Sequence, residues 1–199
     1  MRPDDIILIT GKKRSGKSYF LTHFLIPLFF QSKIRILIWD YNWEHKGQAI
    51  THNLNDLIEF FNRGTQLIVY QPIQKNPSDF SLFCQTALRL HNIMLCIEEV
   101  ERYADHFIVY NQPNFKALID SGRHRGLGLI CTSRRVTWLA SDIPFNLDYL
   151  FIFKQTRPQD LKYLSEWVGD GVYEIEKMEE YSFLCWNDAN GTLTKMKPM

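Results

Sequence analysis

"LITGKKRSGKSYFL", residues 8–21, crowds four cations and two glycines around one bend in the chain. Gly11, four intervening residues, then Gly16, Lys17 and Ser18 match the phosphate-binding pattern G-x-x-x-x-G-K-[ST]. The apolar run at 6–9 reads as a buried strand in front of the bend, and the residues from Lys17 onward read as a helix behind it. Each residue type has its own physical reason. The glycines permit unusual dihedrals and bring backbone N–H groups close to phosphate oxygens, while the helix start adds partial positive charge. Lys17 then reaches the β- and γ-phosphates, and the Ser18 hydroxyl takes Mg²⁺. The expected ligands are ATP and Mg²⁺. The candidate nucleotide contacts are Gly11, Lys12, Lys13, Arg14, Ser15, Gly16, Lys17, Ser18 and Tyr19, with Lys12, Lys13 and Arg14 read more readily as solvated cations than as specific phosphate contacts.

Outward from this bend, short apolar runs recur at 34–40, 66–71, 93–99, 127–133 and 149–155, with helix-like segments at 17–30, 54–62, 78–90, 113–122 and 158–167. Alternation of this kind predicts parallel strands joined by crossover helices, and runs apolar on both faces predict helices on both sides of the sheet. Pro27 is expected to end or kink the first helix. Beyond about residue 170, "YSFLCW" and "GTLTKM" flank "NDANG" and predict a terminal β-hairpin. A chain of 199 residues suits one core rather than two. We read residues 1–199 as one domain, with its core at about 5–155 and a C-terminal helix and hairpin at about 156–199, ordered apart from the last few residues.

With 23 basic against 22 acidic residues, net charge names no partner, so a nucleic acid would have to be met by local patches. Cys84, Cys96, Cys131 and Cys185 lack metal-ligand spacing and read as buried free thiols in a reducing compartment. The longest strongly apolar run, "FLTHFLIPLFF", is eleven residues long, against the roughly 20 needed to cross a bilayer. With no secretory signal read, the protein is expected to be soluble and intracellular.

A phosphate loop leaves open what happens to the triphosphate. In "NIMLCIEEV" an apolar strand ends in Glu98 and Glu99, where a core has no use for two carboxylates. If that strand lies beside the loop strand, Glu98 can hold Mg²⁺ directly or through water, while Glu99 orients or deprotonates the attacking water. Asp40, at the end of the second strand, and the aromatics Trp39, Tyr41 and Trp43 around it are weaker candidates, with core packing the more usual role for the rings.

The third informative stretch is "SGRHRGLGLICTSRR", residues 121–135, where Arg123, His124 and Arg125 precede an apolar strand that ends in Thr132, Ser133, Arg134 and Arg135. Here the sequence resembles the FtsK/HerA superfamily of P-loop ATPases, in particular the genome-packaging ATPases of tailless icosahedral viruses, including archaeal ones. The motif order over about 5–155 carries the resemblance. It implies an α/β, RecA-like P-loop NTPase fold with a mostly parallel central sheet flanked by helices. It also implies an ATPase that assembles into a ring, a hexamer, moves double-stranded DNA into a preformed capsid, and meets capsid or capsid-vertex proteins in the host cytoplasm. Arg123 or Arg125 becomes the arginine finger for the neighbouring subunit, and Ser133 takes the γ-phosphate sensor place where family members usually have Gln. Arg134 and Arg135 fit phosphate, subunit interface or DNA equally. Two other readings stay open: a P-loop kinase acting on a nucleoside or other small molecule, and a nucleotide-dependent assembly switch. No Asn-Lys-x-Asp motif supports a GTPase.

Overall fold

A computed structural model describes residues 1–105 and 111–197; the last two residues, part of the expected fraying end, lie outside them. Its strands are β1 (Ile6–Thr10), β2 (Arg35–Trp39), β3 (Ala49–Thr51), β4 (Leu67–Tyr70), β5 (Ile93–Ile97), β6 (Leu127–Ser133), β7 (Tyr149–Phe153), β8 (Phe183–Asn187) and β9 (Thr192–Met196). They form one sheet in the order β3-β4-β2-β5-β6-β1-β7-β8-β9. Pairing is parallel from β3 through β7 and antiparallel for β7–β8 and β8–β9.

Alternation along the strands sorts the core into two layers. Ile7 and Ile9 of β1 face a layer with Phe20, Leu21, Leu25 and Phe29, from helices α1 (Lys17–Phe20) and α2 (Ile26–Gln31) and the turn of helix between them. Ile6 and Leu8 face the opposite layer. That layer is built by α3 (Leu54–Asn62), α4 (Pro77–Ala87), α5 (Pro113–Ser121), α6 (Asp142–Phe145) and α7 (Pro158–Val168). Both faces of the central strands β1, β2, β5 and β6 are covered, which is why those strands are largely apolar.

The expected helices and hairpin are present. Helix α3 starts where Asn53 accepts the Asn55 N–H at 2.8 Å, and α4 where Asn76 accepts the Asp79 N–H at 2.8 Å. Pro27 does not end its helix. A π-helical turn, Leu21–Leu25, widens the coil just before it, where an α-helical carbonyl would otherwise meet the proline ring, and the helix runs on to Gln31. The acidic pair's strand is not beside the loop strand, because β6 lies between β5 and β1. Strand β3 and helix α6, at three and four residues, escaped the sequence reading. Cys84, Cys96 and Cys131 are buried and Cys185 is half-buried, all four free; burial pushes each thiol above its ordinary range.

Candidate functional site

The site lies where β1, β2, β5 and β6 end, on the edge where open parallel sheets bind ligands. The loop after β1 is stitched to both neighbouring strands' ends: Gly11 N–H donates to the Ser133 carbonyl at 3.3 Å, and Lys12 N–H to the Lys154 carbonyl at 2.8 Å. A Cβ on Gly11 would stand 2.7 Å from Phe153 Cβ, so only glycine fits. Gly16, at φ 105°, opens helix α1 in the left-handed region that glycine tolerates.

Lys17 is folded back onto this loop. Its Nζ donates to the carbonyls of Gly11 at 2.7 Å and Lys12 at 3.0 Å. Burial pulls its pKa down to about 8, although the carboxylates of Glu101, Glu98 and Glu99 work against the shift. The buried Ser15 hydroxyl has no hydrogen-bond partner. A buried ammonium and an unpaired hydroxyl inside a cradle of loop amides fit a polyphosphate.

Beside the loop, Lys17, Ser18, Glu98, Glu99, Thr132 and Arg134 line a cavity of about 300 Å³. The loop and the acidic pair thus meet across the intervening β6. Among the described residues no group of three or more His, Cys, Asp or Glu forms a metal cage. A hydroxyl and a carboxylate on one cavity wall nevertheless fit Mg²⁺, which uses one or two protein oxygens and completes its shell with phosphate and water.

The two glutamates are held differently. Glu98 is 5% exposed, and its Oε2 lies 3.1 Å from His45 Nε2. Burial opposes charge on His45, yet the hydrogen bond to Glu98 and the charges of Glu98, Asp40 and Glu44 outweigh it, raising the imidazole above its ordinary value. Asp40 explains how His45 gets there. Its carboxylate accepts the N–H groups of Glu44 and His45, each at 3.0 Å, and the Gln71 side-chain amide at 3.1 Å, fixing the turn after β2. Trp39 is fully buried in the core, whereas Trp43 is exposed.

Glu99 sits at φ 50°, with its N–H donating to Thr132 Oγ1 at 3.0 Å. Its carboxylate accepts from Arg102 Nε at 2.6 Å and lies 3.4 Å from Arg134 Nη2. Arg134 also contacts Glu101, whose Oε1 accepts the Arg134 N–H at 3.1 Å. In this state Glu99 is clamped by two guanidiniums.

Ser133 does not line the cavity. It shares a strand face with Cys131, whose layer is the far one, and its hydroxyl accepts the Arg135 N–H at 3.1 Å. Thr132, on the α1 side of β6 with Ile130, lines the cavity instead. Arg123 and Arg125 do not reach this cavity either. They precede β6, seven residues or roughly 20 Å from its polar end. Arg123 pairs with Asp148, and Arg125 donates to the Leu88 carbonyl at 2.8 Å.

Sequence reasoning missed His45, Thr132 and Arg102. It missed, too, an aromatic slot of about 330 Å³ between Tyr19, Phe20, Phe153, Tyr181 and Phe183, opening at Gly16. Strand alternation alone could have separated Thr132 from Ser133; nothing local marks His45 or Tyr181.

No protein-family model matches the chain, and no curated protein is similar to it in sequence. Comparison of folds is decisive. The genome packaging NTPase B204 of Sulfolobus turreted icosahedral virus 2, in complex with ATP-gammaS, superposes with a TM-score of 0.86 at 26% identity, covering 100% of both chains. The chain has the fold of a viral genome-packaging NTPase. B204 described as the DNA-packaging ATPase from Sulfolobus Turreted Icosahedral Virus gives 0.84 at 26% identity over 100% of each chain. EssC (ATPases 2 and 3) from Geobacillus thermodenitrificans gives 0.63 at 13% identity, over 98% of this chain and 40% of EssC, a likeness of fold alone. The expected mostly parallel α/β P-loop sheet is thus present in full. Among the described residues no helix is long and apolar enough to cross a membrane.

Proposed function

We propose that this chain is an ATP-hydrolysing motor subunit that moves double-stranded DNA and packages a viral genome into a preformed capsid in the host cytoplasm. One observation carries the reading: Lys17, Ser18, Glu98 and Glu99 share a single cavity, in a chain that matches B204 over its whole length. A kinase needs no second carboxylate to prime water, and a passive switch needs no Glu99.

In this reading the loop amides and Lys17 cradle the triphosphate, with Lys17 leaving the carbonyls of Gly11 and Lys12 for the β- and γ-phosphates. Ser18 and Glu98 are the residues that would hold Mg²⁺, which when bound neutralises charge on the phosphate oxygens. Glu99 accepts a proton from the attacking water as its oxygen bonds to the γ-phosphorus; the bond to the β-γ bridging oxygen breaks, and ADP leaves with phosphate. Thr132 holds the Glu99 backbone in place. Arg123 or Arg125, far from its own cavity, reaches the neighbour's nucleotide in a hexameric ring and stabilises the transferring phosphoryl group, a term of roughly 10³ to 10⁵ in rate. Ring assembly then becomes a condition of hydrolysis. The duplex and capsid or capsid-vertex proteins are its partners.

The test is ATP turnover with and without double-stranded DNA for the wild type, Glu99→Gln, Arg123→Ala and Arg125→Ala. The reading expects DNA-stimulated hydrolysis, abolished in Glu99→Gln and in one arginine variant, with that arginine variant rescued when mixed with Glu99→Gln subunits. Phosphate transfer to a small acceptor, or turnover untouched by Glu99→Gln, overturns it.

A further inference from the structure

A second cavity, of about 610 Å³, opens on the other side of the Glu99 clamp. Its walls carry six cations from four segments: Lys12 and Lys13 of the phosphate loop, Arg102 after β5, Arg134 and Arg135 after β6, and Arg157 before α7. Among the described residues the one carboxylate on its lining, Glu101, is already engaged by Arg134. Arg102, Arg134 and Arg135 are paired with Glu99, Glu101 or Asp160, whereas Lys12, Lys13 and Arg157 have no ion pair among the described residues, so the hollow keeps a net positive charge that favours an anion. The hollow is also built rather than incidental. Arg135 is held 3.2 Å from Asp160, a fully buried carboxylate that also binds the Thr137 N–H and hydroxyl. The Arg135 guanidinium lies 4.6 Å from the centre of the Trp138 ring, and Trp138, on the same wall, is 54% exposed.

We propose that this hollow takes the phosphodiester backbone of the DNA duplex, and that its occupation frees Glu99 for catalysis. The inference rests on the ATPase reading above and adds the place and manner of its control. Phosphate is favoured over an acidic protein face because an exposed ring beside a fixed guanidinium suits a sugar-phosphate chain, whose deoxyribose packs on the ring while its oxygens take the cations. The coupling follows from geometry. Arg102 and Arg134 line this hollow and also hold the Glu99 carboxylate, and Arg134 lines the nucleotide cavity as well. A backbone phosphate bidentate to either guanidinium competes with Glu99 for it. Arg102 and Arg134 are therefore positioning residues that restrain Glu99 until DNA arrives.

The experiment uses the full chain, a fluorescein-labelled 30-base-pair duplex and two readouts. In nucleotide-free buffer, anisotropy titrations across a salt series follow binding for wild type, Arg157→Ala, Arg157→Lys and Trp138→Ala. The proposal expects weaker binding in both alanine variants, a salt slope reduced by about 1 for Arg157→Ala, and recovery in Arg157→Lys. In the second readout, ATP turnover of Arg102→Gln without DNA rises above wild type and its stimulation by DNA shrinks, while Arg102→Lys restores the wild-type ratio. Unchanged duplex affinity in Arg157→Ala and Trp138→Ala overturns the proposal. So does a fall in oligomer mass for those variants with affinity intact, which would make the hollow a subunit contact. Arg102→Gln with wild-type DNA-free turnover removes the coupling. A wild type that binds duplex through these residues yet never hydrolyses ATP defeats the ATPase reading instead, because the binding readout contains no nucleotide.

Discussion

His45 Nε2 stands 3.1 Å from Glu98 Oε2, with 4% of one side chain and 7% of the other open to solvent. No sequence pattern joins these residues; the turn after β2, fixed by Asp40, does. Removing one partner of a buried pair leaves the other charge without compensation, at roughly 3 kcal/mol. His45→Ala is expected to lower the melting temperature by roughly 5–10 °C and Asp40→Asn to follow in the same direction. Thermal unfolding by circular dichroism checks both, and a His45→Ala protein as stable as wild type refutes the assigned role.

Lys17 supplies a pH dependence. Its pKa of about 8 in the free protein lies below the ordinary lysine value of 10.5 because burial disfavours the ammonium. Between these values the unfolded chain holds more protons than the folded one, so this residue's contribution to stability rises with pH across that window. A bound triphosphate stabilises the ammonium and moves the pKa back up. Binding at pH 9 is therefore expected to take up close to one proton, and affinity to fall by up to about tenfold per pH unit above 8. Calorimetry in buffers of different ionisation enthalpy measures the uptake; zero uptake at pH 9 contradicts it.

The aromatic slot at Gly16 presents ring faces and no amide or charged side chain among its described lining residues. A slot of that kind stacks a base without reading its edge, so ATP and GTP are expected to be used with KM values within a few-fold of each other. Stacking of a base on a ring is worth roughly 1–3 kcal/mol, so Tyr181→Ala should raise both KM values about tenfold or more while kcat moves little. A variant that discriminates the two nucleotides would show that the base lies elsewhere.

Arg123 is paired with Asp148 at the strand edge opposite the phosphate loop, but Asp148 also accepts the Ile6 N–H at 2.7 Å and an Arg2 guanidinium at 3.1 Å. With those partners retained and the Arg123 side chain 42% exposed, Arg123→Ala is expected to cost under about 1 kcal/mol of stability. Any large loss of turnover in that variant then reports on catalysis across subunits rather than on folding. Denaturant unfolding beside the turnover assay separates the two.

Much of this molecule was legible beforehand because its signals are local. The G-x-x-x-x-G-K-S spacing located the loop, and unbroken apolar runs located the parallel strands, since burial on both faces leaves no alternation to misread. The Glu98–Glu99 pair stood out because carboxylates at the end of a buried strand need a reason. What escaped depends on order and register. Periodicity does not reveal that β6 separates β5 from β1, and the alternation that sets Thr132 apart from Ser133 does not say which of the two faces α1. Nothing local in the sequence shows that the turn at Glu99 folds Arg102 back onto that carboxylate. Of the two outcomes expected at Pro27, an end or a kink, the end does not occur because the helix widens by one residue instead of stopping.

The sheet's outermost strands are β3, three residues long, and β9, which is mostly exposed and carries Lys195 paired with Glu174. Short margins and charged margins both discourage another chain from extending the hydrogen-bonded ladder. Across the nine strands of the described residues, the sheet thus resists extension at either margin by another copy of itself.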